Sequence, residues 1–147
     1  MVISKPADLH DRDRQWSTLS RFATTERPGA TLGLVYGRRR QGKTLLLRLL
    51  AREVDGLFFT GLRQGGPLNL RRLAETYAEF TGDPLPRFDG WDQAIHALLA
   101  LGERRERPTL VVLDEFTYLE RGGRSEMPAI VDPITGPTRR GKACSII

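Results

Sequence analysis

Two short stretches hold residues whose types and spacing suit chemistry. The first is Gly37-Arg38-Arg39-Arg40-Gln41-Gly42-Lys43-Thr44, which fits G-x-x-x-x-G-K-[ST], the pattern of a nucleotide phosphate-binding loop. Gly37 and Gly42 permit backbone angles that a Cβ forbids, so successive N–H groups can curl around phosphate oxygens. Lys43 offers a point charge to the β- and γ-phosphates, and the Thr44 hydroxyl suits Mg²⁺. The second stretch is Asp114-Glu115. An aspartate there can hold Mg²⁺, directly or through water, while the adjacent glutamate can polarise an attacking water. Lys43 and Glu115 are thus the candidate catalytic residues, and Thr44 and Asp114 the candidate metal ligands.

Such chemistry requires both stretches at one place, and the flanking residues supply the means. Thr-Leu-Gly-Leu-Val-Tyr at 31–36 reads as a short buried strand entering the loop, and the apolar run at 44–54 as a helix leaving it. A helix that starts near Lys43 adds the partial positive charge of its N-terminus. Thr109-Leu110-Val111-Val112-Leu113 is a continuous aliphatic run short enough for a buried parallel strand. It delivers Asp114-Glu115 at its carboxyl end, where open α/β sheets place their ligands. Loop and acidic pair are therefore expected at one edge of a sheet.

The remaining segments alternate in kind. From Asp11, Trp16, Leu19 and Phe22 or Ala23 recur at helical spacing, with Asp11 or Asp13 available as the cap and Trp16 read as core. Leu57-Phe58-Phe59-Thr60 reads as a second short strand, and 61–67 as a glycine-rich loop in which Arg63 and Gln64 are either near a nucleotide or merely solvated. Leu70, Leu73, Tyr77 and Phe80 mark an amphipathic helix ended near Gly82 and Pro84. Trp91, Ile95, Leu98 and Leu101 mark another, with Asp89 as its cap and His96 off the stripe, on the surface. A short helix can begin over 125–130, and 142–147 offers the start of a further strand. Strands alternating with helices predict an α/β fold with a mostly parallel sheet.

Composition narrows the function classes. A chain of 147 residues, 39% hydrophobic and 28% charged, has room for one globular domain, here 1–147. Arg48 interrupts the longest apolar run, so no membrane span is expected, and the charged first residues imply no export; the cytoplasm is the expected compartment. A single cysteine excludes an internal disulfide, and with two histidines it argues against a zinc cluster. The net charge of +5 is dispersed, and no nucleic-acid recognition motif accompanies it.

Tyr36-Gly37-Arg38-Arg39-Arg40-Gln41-Gly42-Lys43-Thr44-Leu45-Leu46 resembles the Y-G-R-R-R-x-G-K-T loop of the prokaryotic and archaeal AAA-type P-loop ATPases. Leu113-Asp114-Glu115-Phe116-Thr117-Tyr118-Leu119 is similar to the family's D-E-F-x-Y-L acidic strand end. Leu9-His10-Asp11-Arg12-Asp13-Arg14-Gln15-Trp16 resembles its F-x-x-R-x-x-E-[LW] opening, with Leu9 for phenylalanine and Gln15 for glutamate. The resemblance implies a three-layer P-loop fold and ATP with Mg²⁺. Gly37, Arg38, Arg39, Arg40, Gln41, Gly42, Lys43, Thr44 and Leu45 would line the nucleotide, with Thr44 and Asp114 at the metal and Glu115 activating water. It also implies a fourth strand, carrying a polar sensor residue, between the loop strand and the acidic strand.

After Glu126 no match to that family is evident, so a C-terminally truncated, incomplete domain is expected. The leading expectation is an ATP-binding domain whose family chemistry is hydrolysis, with turnover negligible if the chain ends at 147. A non-catalytic module that holds nucleotide or a partner chain is the first alternative, and a basic nucleic-acid-binding fragment the second. An oligomer or partner chain is compatible with either form.

Overall fold

The computed structural model describes residues 3–26, 30–32, 42–105, 108–115 and 144–146. Its organising element is the aliphatic run near the end of the chain. Thr109–Asp114 forms a strand, β3, buried along its whole length. Side chains on a strand alternate between faces, and this strand is apolar on both. Val111 and Leu113 enter one core cluster, Leu110 and Val112 another. Helices must therefore cover both faces of the sheet.

The other elements are α1 (Asp13–Thr24), β1 (Ala30–Leu32), α2 (Lys43–Glu53), β2 (Leu57–Thr60), α3 (Gly66–Thr81), α4 (Trp91–Arg104) and β4 (Cys144–Ile146). The strands form one sheet in the order β1-β4-β3-β2, with every pair parallel. One face packs Leu57, Phe59, Val111 and Leu113 against Leu70 and Leu73 of α3 and Trp91, Ile95 and Leu98 of α4. The opposite face packs Leu110 and Val112 against Leu46, Leu47 and Leu50 of α2 and Trp16 of α1. This is the three-layer α/β architecture expected from the sequence. β4 occupies the place between the loop strand and the acidic strand, pairing Cys144 with Thr109 and Ile146 with Val111 on one side, and Ala30 and Leu32 on the other.

Trp16 and Trp91 are buried and His96 is exposed, as their places on the helical stripes require. Several local expectations are corrected. Neither Asp11 nor Asp13 caps α1: Arg12 is the N-cap residue, its carbonyl accepting from Trp16 N–H at 2.8 Å, and Asp13 instead pairs with Lys5 at 2.8 Å. Asp89 does not cap α4. Gly90 holds that position, and the Gln93 side chain reaches back to accept from the Asp89 N–H at 2.8 Å.

α3 begins at Gly66, inside the segment read as loop, because Pro67 fits the first turn of a helix, where an N–H has no helical acceptor anyway. Within the expected strand at 31–36, only 31 and 32 lie among the described residues. Gly37 to Gln41, including the three arginines, lie outside them, as do 116–119 and the helix expected over 125–130.

The junction between α2 and β2 is closely fitted. Asp55 takes a left-handed backbone (φ 52°), and the Gly56 N–H bonds the Ala51 carbonyl at 2.7 Å. A Cβ on Gly56 would stand 2.8 Å from the Leu110 carbonyl oxygen, so only glycine lets the turn lie against β3. Arg105, at the end of α4, donates to the Asp55 carbonyl at 2.8 Å and to its carboxylate at 2.6 Å, with its guanidinium over the Phe80 ring.

Candidate functional site

The site begins where the phosphate-loop motif becomes helix. Gly42 is the N-cap of α2, with φ 75° and ψ 16°, a left-handed conformation suited to a residue without Cβ. Among the described residues no side chain caps this helix. The N–H groups of its first turn have no helical acceptor and, with the aligned peptide dipoles, favour a negative group. Lys43 and Thr44 sit in that turn, half-buried, while Leu45 is 48% exposed.

Alternation along β3 brings the acidic pair to the same place. Asp114 follows Val112 by two residues and so shares the face that packs on α2. It is 2% exposed, and the Thr44 hydroxyl donates to its Oδ2 at 2.8 Å. Seventy positions apart in sequence, the two expected metal ligands are in direct contact. The Asp114 carbonyl accepts from the Gly61 N–H at 2.9 Å, which ties the ends of β3 and β2 together. Asn69, fully buried, holds the next residue by both backbone groups: Leu62 N–H donates to Oδ1 at 3.0 Å and Nδ2 donates to the Leu62 carbonyl at 2.9 Å.

Glu115 leaves the strand in a left-handed conformation, φ 54°, rare for a residue with a long side chain. Such strain, of order 1–3 kcal/mol, collects at sites where direction matters more than stability. The turn separates the two side chains: Asp114 continues the strand's inward alternation, and Glu115 is partly exposed at its lip.

Two features escaped the sequence reading. Arg12, quoted only as part of a resemblance, has a guanidinium nitrogen 3.8 Å from where a Gly42 Cβ would stand, so it adds positive charge beside the end of the loop. Asn69 had no signal beyond a polar residue between the loop read over 61–67 and the helical stripe that starts at Leu70. A cleft of about 480 Å³ runs along α1, lined by Ile3, Trp16, Ser20 and Thr24 among others, and includes none of the expected site residues.

The donor set fits magnesium. Asp114 Oδ1 is buried and has no hydrogen-bond partner among the described residues, leaving a carboxylate oxygen beside a hydroxyl at a helix N-terminus. Mg²⁺ is commonly held by one or two carboxylates plus phosphate oxygens and water, rather than by a protein cage. Among the described residues no group of three or more His, Cys, Asp or Glu side chains forms such a cage.

A family model described as an AAA domain matches residues 26–146. The chain belongs to that family, the AAA-type P-loop ATPases. The structure of the Aeropyrum pernix ORC1 protein in complex with DNA shares the AAA fold, with a TM-score of 0.54 and 19% sequence identity, over 96% of this chain and 39% of that one. This AAA domain thus spans 39% of the length of that relative. No curated protein matches the chain. Among the described residues no helix of the AAA domain is long and apolar enough to cross a membrane.

Proposed function

We propose that this AAA domain binds Mg-ATP at the carboxyl edge of its sheet, as one domain over 1–147. The observation that carries the reading is the contact of Thr44 with Asp114 beside a buried, unpartnered carboxylate oxygen at the start of α2. Lys43 and the first-turn N–H groups of α2 receive the β- and γ-phosphates, and Gly37 to Gly42 wrap them, with the arginines of the loop adding charge. Thr44 and Asp114 hold the magnesium ion, which when bound offsets phosphate charge and fixes phosphate orientation. Leu45 and Arg12 border the nucleotide. Glu115, aimed away from the core by its left-handed backbone, takes a proton from the attacking water. Hydrolysis is the family chemistry; binding is the property this site supports directly.

Calorimetry of Mg-ATP with the parent chain, Asp114→Ala and Glu115→Gln tests this. Asp114→Ala is expected to lose the gain in affinity that Mg²⁺ confers. Glu115→Gln should bind like the parent and abolish any turnover. Equal losses of affinity in both variants would overturn the division of roles, and a parent chain that binds no nucleotide would overturn the assignment. Duplex DNA is a second partner to test, favoured by the net charge of +5. Binding that weakens steeply with salt is the expected signature.

A further inference from the structure

Thr60 is the last residue of β2 and pairs in register with Asp114, the last residue of β3. Partners in a parallel ladder project to the same face. Phe58 and Val112, two residues back on each strand, both belong to the cluster under α2. The Thr60 side chain therefore stands beside the Asp114 carboxylate, on the side from which Thr44 approaches. Its Oγ1 is buried and without a hydrogen-bond partner among the described residues, and so is Asp114 Oδ1. Arg72 Nη1 bonds the Thr60 carbonyl at 2.9 Å and leaves the hydroxyl untouched.

A hydroxyl and a carboxylate oxygen on residues paired in register, each buried and unpartnered among the described residues, form an unusual pair. Buried polar groups bear a desolvation cost unless something bonds them. The two do not bond each other, and neighbouring strands lie about 4.8 Å apart, a spacing that one water can bridge. Magnesium keeps several of its waters when bound.

We infer that Thr60 is a positioning residue of the magnesium site: one water of the ion's shell donates to Asp114 Oδ1 and to Thr60 Oγ1. Thr44 then fixes one carboxylate oxygen directly and Thr60 fixes the other through water. Cation affinity depends on both strand ends as well as on the phosphate loop. The inference rests on the Mg-ATP reading above. A β-branched residue here for strand packing alone would equally be valine, which lacks the hydroxyl.

The test compares the parent chain with Thr60→Val, which keeps the shape, and Thr60→Ser, which keeps the hydroxyl. Fluorescent ATP binding is measured against Mg²⁺ concentration and, separately, in EDTA. Thr60→Val is expected to raise the Mg²⁺ concentration for half-maximal effect about tenfold, the lower end of outer-shell losses at metal sites. Its metal-free affinity and its melting temperature should match the parent, and Thr60→Ser should restore the Mg²⁺ response. A Thr60→Val titration that overlays the parent overturns the inference and leaves the Mg-ATP reading standing. Equal losses with and without Mg²⁺, unrescued by serine, also overturn it, in favour of a packing role. A parent chain that binds nucleotide without any Mg²⁺ dependence overturns the magnesium site and the inference together.

Discussion

The two ends of α2 solve opposite problems with similar backbone. At its C-terminal end Asp55 is left-handed and Gly56 presses on the Leu110 carbonyl, while Arg105 clamps the turn through three groups: a carbonyl, a carboxylate and the Phe80 ring. At its N-terminal end Gly42 is left-handed too, but an added Cβ would meet one Arg12 nitrogen at an ordinary 3.8 Å. Among the described residues no side chain caps the helix there. One glycine exists because the protein itself fills the space, the other because the chain must turn with its N–H groups facing outward. Glycine content alone does not tell a fitted junction from a binding loop. What stands opposite the missing Cβ does.

The strongest test of this contrast is Gly56→Ala. A Cβ 2.8 Å from a backbone oxygen cannot be relieved by a side-chain rotation, so denaturant unfolding is expected to show a loss of about 3 kcal/mol, the upper range for overpacking. Next comes Lys43→Ala, which should leave far-UV circular dichroism unchanged and weaken Mg-ATP binding by about 1.5–3 kcal/mol in calorimetry, the scale of a charge-assisted hydrogen bond. Gly42→Ala is expected to cost only about 1 kcal/mol in unfolding, from backbone strain without a clash. A Gly42→Ala loss as large as that of Gly56→Ala would remove the distinction between the two ends.

The smallest effect concerns pH. Arg104 hydrogen-bonds Asp83 at 2.6 Å and holds its carboxyl below the ordinary 3.8. Lys5 does the same for Asp13. Because the folded values are depressed, this stabilisation is present above about pH 4 and fades as the pH falls through the folded values. Both pairs are exposed, so Asp83→Asn should make the melting temperature only slightly less sensitive between pH 5 and 3.

The chemistry was more legible than its supports. Thr44 and Asp114 could be named together because each terminates a pattern with its own period, a glycine loop running into a helix and a five-residue apolar strand. The parallel sheet followed from the same runs. The residues that needed the structure are those whose role depends on a neighbour remote in sequence. Asn69 looks like one more polar residue before a helical stripe until Leu62 is seen beside it, and Gly56 looks like a generic turn until Leu110 is. Thr60 ends an apolar strand as many threonines do, and only the register with Asp114 gives it company. The caps were misread for a local reason. Aspartates near a helix start can cap it, but Lys5 pairs with the Asp13 carboxylate and Arg87 with that of Asp89.

The strand order carries a consequence for how the chain is made. Ala30 finds its strand partner in Cys144, while Leu57 pairs with Val111. During synthesis β2 and β3 can align, with α2, α3 and α4 folded over them, before β4 has left the ribosome. The side of β3 that β4 will occupy is meanwhile an open backbone edge, able to pair with another nascent chain. At translation rates of roughly 5–20 residues per second, the stretch between Asp114 and Cys144 keeps that edge open for a few seconds. Those seconds are the interval in which the edge is open to mispairing.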